Sequence, residues 1–130
     1  MENEKNSNQD VLLTSLIAAT NNSTLEIGVT LNVNGNLITG LLISYESYLK
    51  ATSERLKGHN KMADVISGFF DKIAKEHAAY KESSGGAPSP SMIHLKDAKL
   101  IDGNNTFNLE YWRGKISSVD GFIIGNYQTN

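Results

Sequence analysis

A strict apolar–polar alternation that ends in Asn-Gly constrains this chain more than any other feature. Leu25, Ile27, Val29, Leu31 and Val33 alternate with Glu26, Gly28, Thr30 and Asn32. That period belongs to a β-strand with one buried face. Asn34 and Gly35 follow at once and supply the two positive-φ residues of a type I′ turn. A two-residue loop fixes the register of the return strand, Asn36 to Ser44, so Leu31 should face Ile38, Val29 face Gly40, and Ile27 face Leu42. Gly40 then sits mid-strand on the buried face, where the missing side chain lets a sheet bend sharply. Leu37, Leu41 and Ile43 point to the opposite face, which needs a cover of its own.

The elements around this hairpin follow from periodicity. Leu12, Leu13, Leu16 and Ile17 make one helical stripe over residues 10–20, with Asp10 as N-cap and Asn21-Asn22-Ser23 as the stop. After the hairpin, Tyr45, Tyr48, Leu49, Thr52 and Leu56 share a helix face, and Gly58-His59-Asn60 breaks the helix. A second amphipathic stretch carries Met62, Val65, Ile66, Phe69, Phe70, Ile73, His77 and Tyr80. Its stripe is read most simply as core, and otherwise as a face for a partner. Residues 82–91, rich in Ser, Gly and Pro, read as a flexible linker. Met92 to Ile101 reads as a strand with an irregularity near Asp97. Phe107, Leu109 and Tyr111 alternate inward along the next strand, and Gly114 allows a tight bend. Ile116 and Val119 suit a single helical turn before a final strand, Phe122 to Tyr127, with Asp120 and Gly121 as turn residues.

The expected fold class is therefore α+β. It is a small antiparallel, Sm/SH3-like five-stranded β-barrel with an N-terminal helix and a helical insertion between strands 2 and 3. A generic α+β sandwich is the alternative. One domain spans residues 10–130, with the insertion at about 45–82 and the linker at about 83–91, behind a disordered tail at 1–9.

The residues offer little for chemistry. The absence of cysteine removes disulfide scaffolds, thiol catalysis and Cys-based zinc sites. His59, His77 and His94 show no metal-ligand spacing. His77 reads as an ordinary, partly buried histidine, and His94 as a strand residue pointing outward. Asp and Glu are scattered, and no nucleophile elbow or phosphate loop is present. The expectation is a protein with no catalytic, metal or cofactor-binding residues that works by binding. The polar, acidic N-terminus lacks signal-peptide character and no run approaches a membrane span, so a cytoplasmic location is expected. A net charge of −2 gives no basic excess for a nucleic-acid backbone.

One constellation suits an interaction surface: Glu110, Trp112, Arg113 and Lys115. If Tyr111 faces the core, Trp112 faces outward beside these charges, and Trp and Arg dominate binding hot spots. The alternative is that the inserted helix covers Trp112.

Several strings resemble one family when taken in order. They are Leu31-Asn32-Val33-Asn34-Gly35 with Ile38-Thr39-Gly40, then Ile93-His94-Leu95-Lys96, then Trp112-Arg113-Gly114-Lys115-Ile116, then Val119-Asp120-Gly121-Phe122. Together they resemble the gas vesicle accessory protein family GvpU. The resemblance implies a non-enzymatic cytoplasmic protein, without cofactor, that binds vesicle shells or shell proteins and modulates vesicle clustering or assembly. Its partners would be gas vesicle proteins and further copies of itself. An Sm-like RNA-binding module and a chaperone-like helper for shell proteins are the competing readings.

Overall fold

The computed structural model describes residues 10–125. The expected disordered tail at 1–9 and the expected continuation of the last strand to Tyr127 lie outside them. The elements run α1 (Val11–Asn21), β1 (Ile27–Val33), β2 (Asn36–Leu42), α2 (Tyr45–Leu56), α3 (Lys61–Ser84), β3 (Met92–Asp102), β4 (Asn105–Lys115), a 3₁₀ turn (Ile116–Ser118) and β5 (Val119–Ile124). Asp10 caps α1, its Oδ1 accepting from the Leu12 amide at 2.8 Å. Leu13 and Ile17 of this helix enter the core, whereas Leu12, expected beside them, is exposed.

The β1–β2 hairpin adopts the register dictated by its turn: Leu31 opposite Ile38, Val29 opposite Gly40, Ile27 opposite Leu42. Asn34 and Gly35 sit at φ 54° and 88°. The Asn34 amide donates to Asp120 Oδ2 at 3.0 Å, which ties the turn to β5. Asp120 and Gly121, expected in a turn, lie inside β5, where Gly121 pairs with Asn32.

All five strands form one antiparallel sheet in the order β4-β3-β2-β1-β5. The sheet is open. Among the described residues its edges, β4 and β5, are joined through the 3₁₀ turn and share no ladder, so the sheet is not closed into the expected barrel. The six-residue β5 is spent on pairing with β1, and α1 completes the apolar layer instead. Leu13 and Ile17 join Val29, Leu31, Ile38, Leu42, Ile93, Leu95, Ala98 and Ile116 in the core. Each such Leu or Ile contributes about 1.5–3 kcal/mol by leaving water.

Two bulges shape the β3–β4 pair. β3 carries an extra residue at Asp97 (φ 51°), and β4 carries one near Glu110 (φ 64°). A bulge shifts side chains to the opposite face. Leu109 therefore packs on the core as expected, but beyond Glu110 the faces exchange. Trp112 turns inward onto the core and Tyr111 turns outward to α2. This corrects the expectation of an outward Trp112, and no inserted helix is needed to cover it. Phe107, expected in the core, lies beyond the core's edge and is half exposed.

Trp112 explains Gly114. The glycine lies within β4 opposite Ile93, and a Cβ there would come within 2.4 Å of the Trp112 ring. Gly114 provides room for the indole, where a bend was expected. Gly114→Ala should push the ring out of its seat at a cost of about 1–2 kcal/mol. Trp112 is the single tryptophan, so a red-shifted emission and a lower urea midpoint would report this directly.

Helices α2 and α3 form a hairpin joined by residues 57–60. Their contact is small and polar at its centre. Ser53 Oγ donates to Asp71 Oδ1 at 2.6 Å, and Ser67 Oγ donates to the Ser53 carbonyl at 3.1 Å. The hairpin covers only part of the sheet's outer face. Ile43 is buried beneath it, whereas Leu37 remains 42% exposed. The expected linker begins within α3, which runs to Ser84 and ends on Gly85 at φ 78°. Residues 85–91 have no helix or strand but are fastened twice, from the Ala87 amide to Asn22 Oδ1 and from the Ile116 amide to the Ser91 carbonyl.

Candidate functional site

The seam between sheet and helical hairpin gathers a cluster of polar aromatic side chains. The turn Gly103-Asn104 sets the β3–β4 register, and the two bulges cancel, so His94 lies opposite Arg113. Both project from the outer face. α2 then lays two rings over His94: Tyr45 stacks at 5.0 Å between centroids, and Tyr48 lies tilted at 4.6 Å. Tyr45 is placed there by its backbone, whose amide donates to Asn21 Oδ1 at 2.9 Å at the end of α1. From α3, His77 meets the Tyr45 ring edge-on at 5.1 Å.

His94 is not the outward, solvated residue the sequence suggested. It faces away from the core yet is buried under α2. Burial, and secondarily the charge of Arg113, pull its pKa down from the usual 6.5 to about 3. The ring is therefore neutral near pH 7. Its Nε2 accepts from Arg113 Nε at 3.0 Å, which places the ring's own proton on Nδ1. The same guanidinium lies 5.8 Å from the centre of the Tyr45 ring.

His77 is also buried, and its Nε2 has no hydrogen-bond partner. Burial lowers its pKa, the charge of Lys81 lowers it further, and Glu46 opposes the shift. Around these groups lies a pocket of about 240 Å³, lined also by residues 88–92.

Of the four interaction candidates, only Arg113 belongs to this cluster. Glu110 stands at the β4 bulge, in a surface depression with Arg55 and His59. Lys115 is exposed at the end of β4 opposite Met92. Trp112 is on the other face. Sequence reasoning treated the histidines singly and missed their meeting. The missing step was to count outward from Gly103-Asn104, which pairs His94 with Arg113 directly.

Large apolar side chains are also left in solvent. On α3, Met62, Val65 and Phe69 are each 66% exposed and lie on one helix face with Ile66. The reading of this stripe as core thus fails at its N-terminal half, and only Ser67, Ala74 and His77 of α3 are buried. On the sheet, Leu37, Ile101 and Ile123 line a shallow groove of about 490 Å³.

A sequence profile described as "Gas vesicle protein GvpU-like" matches residues 10–127. The chain belongs to the GvpU-like family. The match spans the hairpin, both helices of the insertion and the β3–β5 strings, so the GvpU-like unit coincides with the fold described above. No curated protein and no solved structure matches the chain. Among the described residues of this GvpU-like protein, no helix is long and apolar enough to cross a membrane. Its family ties it to gas vesicles.

Proposed function

We propose that this GvpU-like protein is a non-enzymatic cytoplasmic accessory protein that attaches to gas vesicle shells through the apolar stripe of α3 and promotes their clustering or assembly. The carrying observation is the stripe itself: Met62, Val65, Ile66 and Phe69 form a contiguous helix face that nothing in the described chain covers. An amphipathic helix of this kind binds by laying its apolar face into a complementary groove. Glu110, Arg113 and Lys115 on the edge strand β4 supply exposed charge elsewhere on the surface, and such charge steers encounter more than it tightens binding.

Clustering large particles requires at least two attachments per unit, because linked weak contacts multiply through effective concentration. The sheet groove around Leu37 and Ile123 shares no residue with the α3 stripe and offers the second attachment. A second copy pairing along the β5 edge would cover it, giving a homo-oligomer with several stripes. The RNA-binding reading loses its aromatic platform, since Trp112 packs on the core.

Replacing Met62 and Phe69 together by Ser should weaken co-sedimentation with purified gas vesicles about tenfold or more, as expected for removing two anchor side chains. The circular dichroism spectrum should be unchanged, because both residues are exposed. Undiminished sedimentation would defeat the proposal. Binding to soluble shell subunits but not to finished vesicles would favour the chaperone-like reading of the same surface.

A further inference from the structure

The pocket at the seam combines a free charge with an unsatisfied buried atom. The first is the charge of Arg113, an exposed residue that lines the pocket. Among the described residues no carboxylate lies within ion-pair distance of it. Its Nε is committed to His94, a neutral ring that cannot balance the charge, and both Nη groups keep their donors. The second is His77 Nε2, buried without a partner. Leaving such an atom unpaired costs about 1–3 kcal/mol, which a ligand atom would recover. Both residues line the same pocket.

We propose that this pocket binds a small oxyanion, a carboxylate or phosphate group, held by the Arg113 fork and closed in by His77 and the Tyr45 ring. The remaining lining agrees with that chemistry. It includes Ser89, Ser91 and Asn21, all capable of donating, and no acidic residue. Lys81 adds positive potential at His77, partly offset by Glu46. The volume of about 240 Å³ falls below the roughly 300–1,000 Å³ of sites for drug-sized ligands. It suits a single anionic group in place of a whole cofactor. His94 acts as a positioning residue: it holds the guanidinium through Nε and leaves the donor pair free, as bidentate recognition requires.

The group could arrive as a free ion or at the end of a polypeptide, and two probes separate these sources. The full chain is titrated at constant ionic strength with inorganic phosphate and, separately, with N-acetylglycine, whose carboxylate stands for a chain terminus. NMR follows the Arg113 Nε–H and the His77 ring signals. Saturable shifts at both residues, with millimolar affinity for at least one probe, are expected. Tighter binding of phosphate assigns a free ion, and tighter binding of N-acetylglycine assigns a chain terminus. Arg113→Lys keeps the charge but loses the fork and should weaken binding about tenfold. His77→Phe keeps a ring, removes the orphan nitrogen, and should weaken binding without lowering the urea midpoint. Absence of saturation with both probes through the millimolar range overturns the proposal. Equal affinity in Arg113→Lys overturns it as well.

Discussion

Between pH 7 and pH 4.5, His94 alone should remove about 2.5 kcal/mol of folding stability, at a limiting slope of about 1.4 kcal/mol per pH unit. The cause is a proton that only the unfolded chain accepts. In the unfolded chain the imidazole titrates near 6.5, whereas burial under Tyr45 and Tyr48 beside Arg113 holds it near 3 in the fold. Over the interval between those values the unfolded state binds one more proton than the native state. Stability contributed by the neutral ring is thus present above pH 6.5 and drains away as pH falls toward 3. His77, also lowered, acts in the same direction. Glu46, held below its usual range mainly by its hydrogen bond to Lys50, begins to add its own loss as pH approaches the ordinary value of 4.5, so most of the change in this window belongs to the histidines. Urea unfolding of the wild type and His94→Phe at pH 7, 5.5 and 4.5 measures the difference. The variant should lose correspondingly less between the end points, whatever its absolute stability. Parallel pH profiles would show that His94 is not held neutral.

The parts of this fold that were legible in the sequence are those governed by local rules. Asn34-Gly35 forces a turn with two positive φ values, and the register of β1 and β2 follows by counting. The β3 irregularity near Asp97 was visible because the alternation of apolar residues changes phase there. The β4 bulge gave no such warning. Phe107, Leu109 and Tyr111 alternate cleanly across Glu110, and an exposed Glu at φ 64° resembles any other solvent-facing strand residue. Missing that one residue reversed the assignment of Tyr111 and Trp112. Likewise, the amphipathic pattern of α3 cannot say which neighbour covers which part of its stripe. Ser67 and Ala74 mark the packed face because small residues allow close helix approach, but only the placed hairpin reveals that Met62, Val65 and Phe69 are left outside. Barrel closure was a question of the same kind. Five strands permit it, but among the described residues a six-residue β5 is engaged with β1 and β4 has no strand on its far side.

Gly40→Val should be the most damaging single substitution in the sheet, costing about 2–3 kcal/mol and lowering the urea midpoint accordingly. Two effects favour valine: its better fit to a pleated strand and its lower unfolded-state entropy, each worth at most about 1 kcal/mol. Against them stands backbone. A Cβ at position 40 would lie 3.0 Å from the Lys96 carbonyl oxygen and 3.2 Å from the Ala98 Cα, the two residues flanking the Asp97 bulge. Neither can rotate away as a side-chain tip could, so the bulge itself must move, and the β2–β3 register shift between Thr39 and Leu41 lies at this same point. Gly121→Val is the matched control. Gly121 is also a strand glycine, but a Cβ there meets nothing within 4 Å, so valine should leave stability within about 0.5 kcal/mol of wild type or raise it. If the two variants unfold at the same midpoint, the close approach of β3 to Gly40 is not what shapes the sheet. If Gly40→Val alone falls, its Trp112 emission should shift too, because the β3 segment it displaces pairs with the strand that seats the indole.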